Sequence, residues 1–297
     1  MIITKIKGGL GNQMFEYATG RFLAYKTGAD LYLDANQIPS HKKEISRDFD
    51  LIKFNIQAKP ASIEEIQKIK NPFGRISDIM RKISQKIFFK YRIDFHPSFL
   101  KKIENKLKKN KSAYVEGYFQ SEKNFLEIRE ILLQELSLKE EFKSETFKDL
   151  QTEIQNCHSV SVHVRRGDYV QNPGARRYHG ICSLKYYQNA INTIKESVEN
   201  PSFYFFSDDP AWVSENFDLS ENSEIISDKN LSAPEELILM STCKHNIISN
   251  STFSWWGAWL NKNHDKLVIA PTPWIQQWPS PHKNIIPETW IQLPKNH

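Results

Sequence analysis

The sequence predicts an α/β protein built as two successive parallel-sheet halves. Three observations predict it. Short strand-like runs alternate with helix-like stripes along most of the chain, the alternation restarts near Gln155, and the distinctive polar clusters sit directly after strand-like runs. A strand–loop–helix–strand order is the unit of a parallel sheet. In open sheets of this kind ligands bind beyond the carboxyl ends of the strands. At 297 residues the chain suits two domains of about 100–200 residues each. The expected division is 1–155 and 156–297, two Rossmann-like domains facing each other across a cleft.

The first half opens with a strand over Ile2–Ile6, a glycine-rich turn over Gly8–Asn12, and a helix marked by Met14, Tyr17, Ala18 and Phe22 at three- and four-residue spacing. A second strand, Asp30–Leu33, ends at Asp34. Residues 45–111 are less regular. Within them Ser62-Ile-Glu-Glu65 reads as a capping box that opens a helix, and Ile76, Ile79, Met80, Ile83, Ile87 and Phe88 form a helical stripe whose other face is basic. A strand at Ala113–Glu116 precedes GYFQS (117–121), and helices fill roughly 122–155. In the second half a strand is expected at Val160–Val164, then a polar loop and a helix over Leu184–Val198. Further strands are expected at Phe203–Phe206, Glu224–Ile226, His245–Ile248 and Val268–Ala270. Helices begin near Pro210, over Pro234–Cys243, and in the tryptophan-rich stretch after Phe253, before a Pro/Trp-rich tail. There is no fixed-period repeat and no low-complexity segment.

Composition is that of an ordinary soluble globular chain, 39% hydrophobic and 25% charged. The net charge of +5 is unevenly spread. Segment 68–111 holds 14 Lys and Arg against Asp78, Asp94 and Glu104, a surplus of 11 that leaves the rest of the chain at −6. Such a patch points to an anionic surface or ligand rather than to wholesale nucleic-acid binding, so no nucleic-acid partner is expected. As a basic amphipathic stretch it is a candidate for peripheral membrane contact, with a solvated helix face as the alternative. Three widely spaced cysteines (Cys157, Cys182, Cys243) argue against a disulfide framework and fit a reducing compartment. No Cys/His group has zinc-ligand spacing, and no metal is expected. The start, MIITKIKGGLGNQMF, lacks an apolar leader core, and no run approaches 18 apolar residues, so the expected location is cytoplasmic, either free or peripheral on the inner face of the membrane.

Four constellations carry chemistry. KGGLGNQMF (7–15) allows close backbone approach to a ligand in front of a helix N-terminus, or is a tight structural turn. It is neither a dinucleotide fingerprint nor a P-loop. VHVRRGDY (162–169) places arginines after a strand, as a phosphate fork or as a surface ion pair between Arg166 and Asp168. FFSDDP (205–210) ends a strand with two acids, which suit a cation, a ribose, or a helix cap. ISNSTFSWWGAWL (248–260) offers three hydroxyls where a strand enters a helix, an anion site of which an N-cap accounts for one. Its tryptophans, Trp255, Trp256 and Trp259, belong either to the core or to a ligand platform.

Together GGLGNQMFEYA, HVRRGDY, FSDD and ISNSTFSWWGAWL, in that order, resemble the motifs of the α-1,2-fucosyltransferases of glycosyltransferase family 11; GYFQS and HGICSLKYY (179–187) are similar to its bacterial members. The resemblance implies a GT-B fold, a GDP-β-L-fucose donor, inversion, no cofactor and no required metal. It also implies transfer to the 2-hydroxyl of a terminal β-galactoside, free or lipid-linked, in O-antigen or surface-glycan synthesis. A looser likeness to α-1,6- and protein O-fucosyltransferases rests on an H-x-R element. By that resemblance Arg165 holds the diphosphate, His163 and Glu236 (or its neighbour Glu235) contact guanine, Ser251 and Thr252 contact phosphate, and Asn12 lies near the fucosyl phosphate. Gly9, Gly11, Arg166, Asp209 and Asn250 complete the expected donor set. Tyr118, Gln120, Tyr169 and His179 are expected on the acceptor. Where the α-1,6 relatives carry a proposed catalytic glutamate, this chain reads Tyr169-Val-Gln-Asn-Pro173. Asp168 is therefore either the catalytic base or a brace for Arg166, and a dissociative route in which the departing diphosphate takes the proton needs no base. Other readings are a GDP-sugar transferase of different linkage and a non-catalytic glycan- or nucleotide-binding module.

Overall fold

The computed structural model describes residues 1–36, 49–70, 105, 112–219, 222–277 and 284–296. The chain divides into two compact units, Met1–Leu136 and Ser137–His297. The division falls ahead of residue 155 because the helix at Glu145–Gln155 lies against the helix at Ala233–Thr242 and so belongs with the second unit. The apolar stripe at 76–88 and nearly all of the basic segment lie outside the described residues.

In the first unit the described elements are β1 (Ile2–Lys5), α1 (Leu10–Thr27), β2 (Leu31–Asp34), β3 (Lys59–Pro60), α2 (Ile63–Lys70), β4 (Ala113–Val115) and α3 (Arg129–Glu135). The strands form one parallel sheet in the order β3-β2-β1-β4. β1 is central, with Ile2 opposite both Leu31 and Ala113. α1 lies directly on β1: a Cβ added at Gly20 would stand 2.2 Å from Thr4 Oγ1, so only glycine admits this approach. Gly28, at φ +65°, ends α1 in the left-handed conformation typical of a helix C-terminus. The expected capping box opens α2, with Ser62 N–H donating to Glu65 Oε2 (2.8 Å) and Glu65 N–H to Ser62 Oγ (3.1 Å).

The second unit contains α4 (Glu145–Gln155), β5 (Ser159–Val164), α5 (Gly167–Gln171), α6 (Pro173–His179), α7 (Leu184–Ser197), β6 (Ser202–Ser207), α8 (Pro210–Asn216), β7 (Ser223–Ile225), α9 (Ala233–Thr242), β8 (His245–Ile247), α10 (Thr252–Leu260), β9 (Val268–Thr272) and β10 (Ile291–Pro294). These strands form a parallel sheet in the order β10-β9-β8-β5-β6-β7. All six residues of β5 are buried, as expected for a parallel strand covered on both faces. Val160, Val162 and Val164 pack with Tyr186, Tyr187, Phe203, Phe205 and Ile247 in the core of this unit.

Two parts of the second unit differ from the sequence reading. The stretch after Val164, expected as a polar loop, holds the short helices α5 and α6. α6 buries no side chain, so it has no apolar stripe; Pro173 in its first turn and the Asn172 cap, which accepts from Gly174 N–H and Ala175 N–H (2.9 and 3.2 Å), define it instead. The tail carries β10, an edge strand on β9 with Ile291 opposite Ile269 and mostly exposed side chains. No helix among the described residues is long and apolar enough to cross a membrane.

Candidate active site

The strand order explains why dispersed motifs meet. β5 lies between β6 and β8. Its carboxyl end delivers Arg165 and Arg166, that of β6 delivers Asp208 and Asp209, and that of β8 leads into Ser249–Thr252. Three of the four constellations thus share one edge of one sheet, where open α/β sheets bind ligands.

The two arginines are held differently. Asp208 receives the Arg166 backbone N–H on Oδ1 (2.7 Å) and pairs through Oδ2 with Arg165 Nη1 (3.0 Å). One carboxylate therefore fixes both the main chain after β5 and the guanidinium of Arg165. The intervening glycine is required by this arrangement, since a Cβ on Gly167 would lie 2.4 Å from Asp208 Oδ2. Arg166 pairs through Nε with Asp209 Oδ2 (3.2 Å), and its guanidinium lies 4.1 Å from the Trp212 ring centroid. Asp209 also caps α8 by accepting from Trp212 N–H (3.3 Å). Among the described side chains the partner of Arg166 is thus Asp209; the sequence reading put Asp168 there, and the side chain of Asp168 lies outside what the structure describes. Both arginine side chains keep about a fifth of their surface exposed, and a guanidinium has five N–H donors.

His163, at the end of β5, is buried, with Nδ1 2.8 Å from Ser249 Oγ and its ring 5.7 Å from that of Phe253. Burial, and then the neighbouring Arg165 charge, push its pKa down to about 3, so the imidazole is neutral in any physiological medium. Glu235 and Glu236 are held differently. Glu235 is buried as the third residue of a capping box: Oε2 accepts from Ser232 N–H (2.8 Å) and Oγ–H (2.7 Å), and Oε1 accepts from Ser144 N–H (2.8 Å). Burial opposes its charge, but the hydrogen bonds from Ser144 and Ser232 outweigh burial and hold its carboxyl below the ordinary range. Among the described residues Glu236 has no such ring of donors. Burial pushes it up to about 7 against one hydrogen bond from Ser227, whose Oγ accepts from Ser207 N–H (2.9 Å) at the end of β6.

At the start of α10, Ser251 is the N-cap and accepts from Phe253 N–H (3.3 Å), while buried Ser254 donates to the carbonyls of Ser249 and Ser251 (3.4 and 3.3 Å). Thr252 stands half-buried in the first turn. Asn250 has a different occupation: its Nδ2 donates to the carbonyls of His179 (2.9 Å), Gly180 (3.2 Å) and Trp274 (3.2 Å). Of the expected acceptor residues in this unit, Tyr169 and His179 stack in parallel, 4.6 Å apart at 5°. Trp255, Trp256 and Trp259 are buried against one another, so they form core.

The carboxyl edge of the first sheet holds the glycine turn. Gly8 adopts φ +75°, and Gly9 is the N-cap of α1, its carbonyl accepting from Asn12 N–H and Gln13 N–H (2.9 and 3.1 Å). Gly11 is buried in the first turn. Gln13 Nε2 donates to the Gly8 carbonyl (2.9 Å), and the fully buried Glu16 accepts from Lys7 N–H (2.8 Å). Asn12 Oδ1 accepts from Gln120 Nε2 (2.9 Å), which joins the turn to the segment after β4. Tyr118 lies under Lys7, whose Nζ is 4.6 Å from its ring centroid and 3.7 Å from Glu116.

With this geometry in place, comparison with known proteins assigns the family. The model of "Glycosyl transferase family 11" matches residues 1–293. The chain belongs to glycosyltransferase family 11. An alpha-1,2-colitosyltransferase of Escherichia coli is 33% identical to it, over 99% of both chains. The O-antigen biosynthesis glycosyltransferase WbnK of Escherichia coli is 30% identical, over 97% of this chain and 99% of that one. A galactoside alpha-(1,2)-fucosyltransferase 2 of Pongo pygmaeus is 30% identical over 45% of this chain and 40% of its own length. Among solved structures, the NodZ alpha-1,6-fucosyltransferase soaked with GDP-fucose superimposes with a TM-score of 0.52 at 15% identity, covering 87% of this chain and 91% of that one. A variant of Arabidopsis thaliana FUT1 in complex with GDP gives 0.51 at 14%, covering 96% and 74%. These likenesses place this glycosyltransferase in the GT-B fold class.

Sequence reasoning passed over several residues that hold these side chains and turns in place. Asp208 was read only as one of a pair of acids, Ser249 stood inside the hydroxyl-rich motif with no role of its own, Ser227 carried no motif signal, and Lys295 lies in the Pro/Trp-rich tail. One signal was available: Ser232-Ala-Pro-Glu235 is a capping-box spacing, and it assigns Glu235 to the helix start.

Proposed function

We propose that this glycosyltransferase moves L-fucose from GDP-β-L-fucose to the 2-hydroxyl of a terminal β-galactoside, with inversion at the anomeric carbon, in O-antigen or surface-glycan assembly. The observation that carries the α-1,2 linkage is the end-to-end likeness to the alpha-1,2-colitosyltransferase of Escherichia coli, and the likeness to a galactoside alpha-(1,2)-fucosyltransferase 2 supports fucose as the sugar, on a chain whose second unit gathers Arg165, Glu236 and the start of α10 at one sheet edge. In this reading Arg165 forks onto the diphosphate and offsets the charge that develops as the C1–O bond to GDP breaks. Arg166, Ser251 and Thr252 add donors. Glu236, as a carboxylate, accepts from guanine N1–H and N2–H, which adenine cannot supply. His163, neutral, offers its other ring nitrogen to the base. Gly9, Gly11 and Asn12 contribute on the first unit, with Tyr118 and Gln120, and Tyr169 and His179 on the second, as acceptor contacts. The acceptor O2–C1 bond forms as the C1–O bond to diphosphate breaks, and the hydroxyl proton passes to Asp168 or to the departing GDP. Among the described residues no group of three or more His, Cys, Asp or Glu is placed to hold a metal ion.

The colitosyltransferase relative favours a second reading, in which the donor sugar is colitose and the linkage is the same. One experiment separates the readings: purified protein is given GDP-fucose or GDP-colitose with β-1,3- and β-1,4-galactosides, with and without EDTA, and each product linkage is determined by NMR. The expected result is an α-1,2-fucoside, formed equally in EDTA. A product from GDP-colitose alone would replace the donor, and a different linkage would overturn the reading. Asp168→Asn decides the base: loss of turnover with GDP binding retained makes it Asp168, and full turnover leaves the diphosphate. For the basic segment 68–111 we propose peripheral contact with the inner leaflet, tested by co-sedimentation with vesicles with and without anionic lipid.

A further inference from the structure

Lys295 is fully buried near the end of the chain. Among the described residues its ammonium meets carbonyls rather than carboxylates: Nζ donates to His179 O (2.5 Å) and more distantly to Trp274 O (3.4 Å). Burial pushes its pKa down to about 8. An ammonium taken out of water is costly, and an apolar side chain of similar length would fill the space at less cost. Such costs are typical of functional sites.

The surroundings are shaped around this ammonium. Gly180 adopts φ +69°, and a Cβ there would come within 3.0 Å of Lys295 Nζ. The main chain of Lys295 is fixed as well, donating to Thr272 O (3.0 Å) and accepting from Ser183 N–H (2.9 Å), the residue that caps α7. Asn250 binds the same His179 and Trp274 carbonyls from a second direction. The point they hold is the end of α6. There the His179 ring stacks on Tyr169, the Tyr169 hydroxyl reaches Asn250 O (3.4 Å), and the Arg165 guanidinium lies 5.6 Å from the Tyr169 ring centroid.

We infer that Lys295 is a positioning residue for the donor site: by clamping the His179 carbonyl it sets the His179–Tyr169 stack against which Arg165 is oriented. This rests on the reading of Arg165 as the diphosphate contact. The test is a double-mutant cycle with Lys295→Met and His179→Ala, read by calorimetric titration of GDP and by donor kinetics, with the melting temperature of each variant. Each single change is expected to weaken GDP and raise the donor KM by about tenfold while kcat changes less, and the double variant is expected to be no worse than the poorer single. Lys295→Met that lowers the melting temperature but leaves GDP affinity intact would overturn the inference, as would additive losses. Should Lys295→Met not fold, His179→Ala decides alone, since wild-type GDP affinity there removes the path from clamp to arginine. Wild-type protein that binds no GDP at all overturns the reading of Arg165, and this inference with it.

Discussion

At the carboxyl edge of the first sheet the glycine turn itself is held mainly by backbone and neutral amides (a left-handed glycine, the Gly9 carbonyl at the start of α1, the Gln13 bond to Gly8 and the Asn12–Gln120 pair), with the buried Glu16 carboxyl on Lys7 N–H and the Lys7–Glu116 pair beside it. At the carboxyl edge of the second sheet the organising groups are charges held by charges, with Asp208 on Arg165, Asp209 on Arg166, and a neutral buried His163 beside them. A backbone turn fits a neutral or weakly charged group closely but supplies little field. Prepositioned guanidiniums supply field at a fixed place and need no reorganisation when charge develops. Under the proposed function the polyanionic end of the donor belongs to the second unit, and experiments can break that proposal edge by edge.

The largest effect is expected at Arg165. Arg165→Ala removes a charge-assisted fork and should lower kcat/KM by at least about 100-fold, with the melting temperature little changed. Full activity would return the field to Arg166 or to the first unit. Gly167→Ala comes next and touches no ligand. Its new Cβ would meet Asp208 Oδ2 at 2.4 Å, so the carboxylate that orients Arg165 must move. A loss of about tenfold in kcat/KM is expected, read by the same assay, because small misplacements of a catalytic group cost rate steeply. An unchanged rate would show that Asp208 does not set the arginine.

A smaller effect sharpens the comparison by pH. Glu236 is pushed up to about 7, so it is a neutral acid below that pH and a carboxylate above it. Only the carboxylate accepts two N–H groups, so GDP affinity should be full above pH 7 and fall by up to about tenfold per unit below it, measured by calorimetry from pH 5.5 to 8.5. Glu236→Gln should flatten that dependence. His163→Gln should leave the inflection in place, because His163 is pushed down to about 3 and does not titrate in this range. The stability sign is opposite. The folded protein holds this proton more tightly than the unfolded chain does, so the contribution of Glu236 to stability falls as pH rises from the ordinary carboxylate range to about 7.

The architecture was legible because buried parallel strands read as apolar runs and their carboxyl ends as sudden polar clusters. Val160–Val164 followed by two arginines is the clearest case. α5, α6 and β10 were not legible, since α6 buries nothing and β10 exposes most of its side chains, so neither leaves a period. At the site, the sequence named Arg165 and the aspartate pair but offered Asp168 for Arg166 and no acid for Arg165. Adjacent residues leave a strand end in different directions, and only the register of β5 against β6 decides which acid meets which arginine. Lys295 was invisible for another reason: a lone lysine near a chain end has the pattern of a solvated one, and only the fold reveals that it is buried.

The smallest effect is expected on the first unit. Gln120→Ala leaves Asn12 Oδ1 without the Nε2 donor at 2.9 Å, and the glycine turn keeps its other anchors, Gln13 on Gly8 O and Glu16 on Lys7 N–H. A neutral amide–amide bond is worth about 0.5–1.5 kcal/mol net, a factor of roughly two to twelve. The predicted fall in kcat/KM is therefore a few-fold, with GDP affinity unchanged if the diphosphate belongs to the second unit. Steady-state kinetics and GDP titration on the same variant make the distinction. A loss of GDP affinity as large as that in Arg165→Ala would place the diphosphate on the glycine turn, and the contrast between a field-bearing edge and a shape-bearing edge would have to be redrawn.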